Sequence, residues 1–276
     1  MPIQKSDDPQ AFNDFEHTGW ETVSDGYERH FARLTRQTVA ATLDAAGVGP
    51  GMRTLDVCTG PGMLAEAAVQ RGAEAVGLDF SDEVVKIARR NVPGADFHQG
   101  DAQSLPFDDD SFDAVVCGYG VIHVPDPEKA LTEMRRVLRP SGRLAVSVWE
   151  APKPSNGFGI LFGALKQHGD LTVPLPQGPD FFQFSESDAM SVALQSVGLR
   201  EVTVKSVAQA WDLKAPLAMI EAIAEGAVRA RGLLLAQTNT ARSAIEAAVE
   251  AAMVQYETTA GQYVVPMPAV VGAGMK

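Results

Sequence analysis

The sequence predicts an α/β fold with a doubly wound, mostly parallel sheet, and three observations carry that expectation. Short apolar runs alternate with helical stretches from Arg53 to Trp149. A glycine turn joins the first run to its helix, and acids and glycines recur where the runs end. Alternation of this kind gives a parallel sheet covered on both faces, with right-handed crossovers and ligands at the carboxyl ends of the strands.

The elements follow in order. Asp7 to Gly19 reads as a polar arm, and Tyr27 to Ala46 as an amphipathic helix ended by Gly47. Leu55-Asp-Val-Cys-Thr-Gly-Pro-Gly62 runs a buried acidic strand into a turn, and Met63 to Arg71 continue as a helix whose first amides stay free. Ala75 to Asp79 and Ala95 to Gln99 are the next two strands, the latter followed by Gly100-Asp101-Ala102. Ser111 to Cys117 is the fourth and leads into Gly118-Tyr119-Gly120. Asp126-Pro127-Glu128 has the cap, first-turn proline and early acid of a helix start, and Ala130 to Arg143 carries that helix into a fifth strand.

Beyond Trp149 the pattern changes. Residues 151–184 are rich in proline and glycine, and Phe181, Phe182 and Phe184 lie on a stretch too broken for regular structure, which suits a pocket wall. Ser185 to Asp188 begins another helix ending near Gly198, and Glu201 to Trp211 is a strand. Pro216 to Arg231 and Thr240 to Thr258 form an alanine-rich helical insertion. Gln262 to Gly272 is the last strand, whose two prolines suit an edge or a bulge. The chain thus divides into an arm with a capping helix (1–50), a ligand-binding core (51–150) and a remainder (151–276) that holds the pocket loop (151–184) and the insertion (213–260).

Composition narrows the function. A chain of 276 residues, 45% hydrophobic, buries a large core. No run approaches the roughly 18 apolar residues of a membrane span, and the polar start lacks a signal peptide, so a cytoplasmic protein is expected. A net charge of −12 argues against a nucleic-acid partner and leaves a small-molecule substrate. The cluster Arg135, Arg136, Arg139 and Arg143 reads as a solvated face. Two cysteines outside any CxxC or Cys/His cluster provide neither a disulfide framework nor a metal site.

The acids and glycines describe a nucleoside site. Gly60 and Gly62 bring the backbone close to a ligand, and Asp79 can accept both hydroxyls of a ribose. Gly60-x-Gly62-x-x-Ala65 also fits a dinucleotide fingerprint, with Asp79 near the expected spacing of about 20 residues. Asp56 separates the two readings. Its negative charge disfavours a pyrophosphate and suits the cationic end of an amino-acid-bearing nucleoside.

Leu55-Asp-Val-Cys-Thr-Gly-Pro-Gly62, Val76-Gly-Leu-Asp-Phe-Ser81, Gly100-Asp-Ala-Gln-Ser-Leu-Pro-Phe107 and Arg136-Val-Leu-Arg-Pro-Ser-Gly142 together resemble the class I S-adenosylmethionine-dependent methyltransferases, in the branch similar to quinone-biosynthesis methyltransferases. The resemblance implies a Rossmann-like, seven-stranded sheet with an antiparallel last strand beside Glu201 to Trp211, and a helical lid over the site. It implies S-adenosyl-L-methionine as methyl donor and S-adenosyl-L-homocysteine as product. Asp56, Cys58, Gly60 and Gly62 would form the turn under the methionine moiety, Asp79 would take the ribose, Phe80 one adenine face, and Asp101 with Ala102 the adenine edge. Gly118 and Tyr119 would flank the sulfonium. Tyr27 either reaches the cofactor carboxylate or packs on its helix, and His123 is either the proton acceptor or a hydrogen-bonded structural residue. Cys58 departs from a family that often has glycine there, which points to altered cofactor geometry. The implied reaction is methyl transfer to a small, partly apolar acceptor, oxygen first and carbon or nitrogen as alternatives. A nicotinamide-dependent dehydrogenase and a non-methylating S-adenosylmethionine-binding protein are the competing readings.

Overall fold

The computed structural model describes residues 2–276 and opens on a long helix. The arm expected over Asp7 to Gly19 is instead the first half of α1 (Pro9–His30), capped by the Asp8 carboxylate, which accepts from the Ala11 amide at 3.0 Å. Its buried positions are Phe12, Glu16, Val23 and Gly26. Two of these four are not apolar, so the helical stripe does not register as hydrophobic. The single helix expected from Tyr27 to Ala46 is broken into the end of α1, α2 (Ala32–Thr35), a 3-10 turn at Arg36–Thr38 and α3 (Val39–Ala45).

The centre follows the sequence pattern closely. β1 (Arg53–Val57), α4 (Met63–Gln70), β2 (Glu74–Asp79), α5 (Asp82–Asn91), β3 (Asp96–Gln99), β4 (Phe112–Gly118), α6 (Pro127–Val137) and β5 (Leu138–Trp149) succeed one another. Asp126 caps α6 as expected, accepting from the Lys129 amide. The arginine cluster at the exit of α6 is paired: Arg136 binds Glu133 and Asp109, and Arg139 binds Asp113.

The second half departs from expectation in three places. Residues 151–184 are not irregular throughout, because α7 (Gly157–His168) forms there, with the Asn156 side chain accepting from the Gly159 amide. α8 (Ser187–Ser196) follows, and the strand expected over Glu201 to Trp211 then breaks at Ala208 and Gln209 into β6 (Arg200–Val207) and β7 (Ala210–Leu213). After α9 (Ala218–Gly226), α10 (Arg229–Leu235) and α11 (Asn239–Met253), the last strand also splits, around Pro266-Met-Pro268, into β8 (Tyr263–Pro266) and β9 (Ala269–Met275).

These breaks sort the strands into two sheets. The large sheet has the order β3-β2-β1-β4-β5-β9-β6, and β7 with β8 forms a small antiparallel ribbon. β9 is antiparallel to both β5 and β6 and lies between them. It is therefore an interior strand, not an edge, and its prolines fall outside it. A Cβ on Gly272 would come 2.4 Å from Met190, and one on Gly274 2.9 Å from the Leu199 side chain, so these glycines let α8 and its exit press onto the sheet. What reads in the sequence as a strand terminator is a close-packing device.

The helices between β7 and β8 return over the carboxyl edge of the sheet and rest on α1. A Cβ on Gly26 would lie 2.0 Å from the Glu225 carbonyl oxygen, and one on Gly226 3.0 Å from the Gly26 backbone. Gly26→Ala is therefore expected to force α1 and α9 apart and to destabilise the protein by about 2 kcal/mol or more, the cost of inserting a methyl into a filled contact. Urea unfolding checks this, and an unchanged midpoint would mean that the two helices do not bear on each other.

Candidate active site

The carboxyl ends of β1, β2 and β4 converge on one point. Asp79, at the end of β2, is buried, and its two oxygens accept from the Gly60 amide at 3.0 Å and the Ser81 amide at 3.2 Å. Burial pushes its carboxyl up to about 6, against the pull of these backbone donors. Each oxygen keeps room for a further donor, which is what a vicinal diol requires.

Asp56 plays a different part from a surface charge. It is 1% exposed, and its Oδ2 accepts from the Thr59 hydroxyl at 2.6 Å and the Ala65 amide at 3.1 Å. Ala65 lies in the first turn of α4, so the carboxylate itself occupies an amide that a dinucleotide pyrophosphate would need. Its Oδ1 is buried without a partner, and desolvation pushes the group up to about 7.

Two residues of the turn carry its shape. Cys58 has φ +56°, in the left-handed region where glycine is strain-free and other residues lose about 1 kcal/mol, which accounts physically for the family's frequent glycine. Its thiol is held well above its ordinary pKa, first by the neighbouring Cys117 thiol and then by burial. Gly62, at φ +90°, caps α4, and a Cβ there would come 3.0 and 3.3 Å from the Val92 and Phe97 side chains, so it bends the chain without walling the cavity.

The remaining residues surround the same space. Phe80 meets His17 edge to face at 5.4 Å, and exposed Asp101 accepts from the Gln103 amide beside buried Ala102. Tyr27 stacks on Phe31 at 5.6 Å, and burial pushes its phenol up to about 12. Tyr119, at φ +60°, receives a hydrogen bond from the Gln209 amide at 3.0 Å and donates to the Thr38 hydroxyl at 3.2 Å. The break between β6 and β7 is what places Gln209 there.

His123 sits in a short 3-10 turn after β4, and its Nδ1 is 3.0 Å from Glu16 Oε2. Glu16 is fully buried and the same oxygen accepts from the Trp20 indole at 3.1 Å. Trp20 and Phe181 flank the imidazole edge to face at 5.1 and 5.6 Å. With Nδ1 tied to a carboxylate, Nε2 is the ring nitrogen left free for other partners.

A cavity of about 510 Å³ gathers these groups. Of the twelve residues singled out in the sequence, Tyr27, Asp56, Cys58, Gly60, Asp79, Phe80, Asp101, Ala102, Gly118, Tyr119 and His123 line it, and Gly62 does not. Its other end is walled by Trp149, Phe158, Phe162, Phe181, Phe182 and Leu233, while Phe184 is buried in the core. Phe158 and Phe162 were hidden by the proline-rich flanks of α7, although their spacing of four is helical. Trp20, Glu16 and Arg229 gave no sequence signal.

The comparisons with known proteins now decide the family. A model described as a methyltransferase domain matches residues 55–146. A demethylmenaquinone methyltransferase of Renibacterium salmoninarum is 42% identical over 132 residues, 48% of this chain, and the chain spans about half of that relative's length, 53%. Another of that name, from Lysinibacillus sphaericus, is 37% identical over 210 residues, 69% of this chain and 89% of the relative. The chain belongs to the class I S-adenosylmethionine-dependent methyltransferases of the quinone-biosynthesis branch. In fold, this member of the family is similar to Haemonchus contortus phosphoethanolamine N-methyltransferase 2 in complex with S-adenosyl-L-methionine, with a TM-score of 0.58 at 18% identity over 96% of this chain and 60% of that one.

The residues present fit the family's cofactor, S-adenosylmethionine. Asp79 has spare acceptor capacity, a Cβ on Gly60 would meet nothing within 4 Å, leaving open space above the turn, and Asp56 blocks the amide that a pyrophosphate would use. No helix among the described residues is long and apolar enough to cross a membrane.

Proposed function

We propose that this methyltransferase family member transfers a methyl group from S-adenosylmethionine to a small, partly apolar acceptor, with oxygen the first choice of acceptor atom and carbon or nitrogen the others. One observation supports this above the rest: the nucleoside cradle around Asp79 and the aromatic chamber around Phe158 and Phe181 are parts of one cavity. A quinone-type ring, as in the name of the relatives, falls within this acceptor class. The net charge of −12 favours such a molecule over a nucleic acid.

When bound, S-adenosylmethionine supplies a methyl group made electrophilic by its sulfonium. The chain's part is positioning. Asp79 accepts from the ribose hydroxyls, Phe80 covers an adenine face, and Asp101 with Ala102 meets the adenine edge. The turn Cys58–Gly60, supported by Asp56 and bent at Gly62, carries the methionine moiety, with Tyr27 reaching its carboxylate from α1. Gly118 and Tyr119 flank the reacting centre, where the acceptor atom must approach to about 3 to 3.5 Å. His123 takes the acceptor's proton at Nε2.

Calorimetry with S-adenosylmethionine and S-adenosylhomocysteine, followed by labelled-methyl transfer into a cell extract, tests the reading. Binding of both and appearance of a labelled small molecule are expected, and mass spectrometry then identifies the acceptor. Binding without transfer would favour a non-methylating binder, and preference for a nicotinamide dinucleotide would overturn the cofactor assignment.

A further inference from the structure

Arg229, the first residue of α10, is the one arginine or lysine among the residues lining the cavity. Its guanidinium lies over the rings of Phe12 and Phe181, at 5.3 and 5.5 Å from their centroids. Nη2 donates to the Pro179 carbonyl at 3.0 Å, whereas Nη1 is buried and has no partner. Glu16 and Asp180 contribute to its electrostatic surroundings, yet no ion pair to it forms among the described residues. Glu16 gives its Oε2 to Trp20 and His123, and its Oε1 is buried without a hydrogen-bond partner and makes no ion pair with the guanidinium.

The guanidinium is only partly buried, but its Nη1 loses hydration that nothing in the chain returns. Arginine is also suited to grasp an oxyanion, because its planar donors are weakly hydrated and stay charged. Beside it, Phe158, Phe162, Phe181 and Phe182 form an aromatic wall that suits a ring. Phe181 touches both Arg229 and His123, so a molecule gripped at Arg229 is held along the same wall as the free nitrogen of the imidazole.

We infer that Arg229 anchors an anionic oxygen of the acceptor, which defines the acceptor class as a ring-bearing, otherwise apolar molecule with a carboxylate. The role as methyl acceptor rests on the reading proposed above; the anion site itself does not.

Calorimetry at pH 7.5 with 3-hydroxy-2-naphthoate, its uncharged amide and 2-naphthol tests this, with and without saturating S-adenosylhomocysteine. The naphthoate is expected to bind at least about tenfold more tightly than either uncharged probe, one charge-assisted hydrogen bond being enough for that ratio. Arg229→Met should abolish the preference and Arg229→Lys should keep part of it. Circular dichroism and S-adenosylhomocysteine affinity verify that both variants fold. Equal binding of the three probes, no naphthoate binding at millimolar concentration, or a preference that survives in folded Arg229→Met overturns the proposal. A wild-type protein that binds the naphthoate but not S-adenosylhomocysteine would instead overturn the methyl-transfer reading alone.

Discussion

Asp79→Asn is expected to weaken S-adenosylmethionine binding by about 100-fold. Two hydrogen bonds from ribose hydroxyls to a carboxylate are each worth roughly 1.5–3 kcal/mol at most, and asparagine offers one oxygen and one NH₂ in their place. The substitution also turns a donor toward either the Gly60 or the Ser81 amide, both of which now donate to this side chain. The turn then loses a backbone tie as well as the ligand's acceptor. Calorimetry with S-adenosylhomocysteine reads the loss, and an affinity within about threefold of wild type would remove Asp79 from the ribose assignment.

The same carboxylate sets a pH dependence. Burial holds Asp79 at about 6 and Asp56 at about 7 in the ligand-free protein, above the usual carboxylate range of an unfolded chain near 4. Between about pH 4 and 7 the folded state thus binds more protons than the unfolded one at these two groups. Their contribution makes the ligand-free protein less stable as pH rises through that window. Ligand binding runs the other way, since diol hydroxyls need an ionised acceptor, so affinity should rise by about tenfold from pH 5 to pH 8 and flatten in Asp79→Asn. Asp113 and Glu133, held below their ordinary range with Arg139 and Arg136 as partners, contribute stability that is lost only at lower pH. A thermal-shift series with and without ligand separates these trends.

How much of this was legible in the sequence depends on how local each feature is. The strand, turn and helix from Leu55 to Arg71 and the acids at the strand ends are written in adjacent residues, and so are the caps at Asp126 and Pro127. α1 was not legible, because Glu16 is buried by partners more than 100 positions away and Gly26 by a close helix crossing. The place of β9 was likewise non-local. Nothing near Ala269 says that the strand enters between β5 and β6, and glycines that admit α8 mimic an ending. The acceptor end of the cavity suffers most from this, since α1, α7, the loop at Phe181 and α10 meet there only in three dimensions.

Glu16 and His123 are such a non-local pair, and their removal should have the second large effect. His123→Ala is expected to slow methyl transfer by about 100-fold or more, the usual contribution of a positioned general base, with the affinity for S-adenosylhomocysteine unchanged. Glu16→Gln tests the support behind it. Glutamine can still accept from Trp20 and His123, yet it lacks the charge that stabilises the imidazolium formed once the acceptor's proton arrives at Nε2. Turnover should then fall by about tenfold, with the smaller loss reflecting a ring that keeps its orientation. Single-turnover transfer to the acceptor identified by labelling supplies the readout. If His123→Ala matches wild type, or if the two variants lose cofactor affinity in step with rate, the imidazole is a packing element between Trp20 and Phe181, and positioning alone drives the transfer.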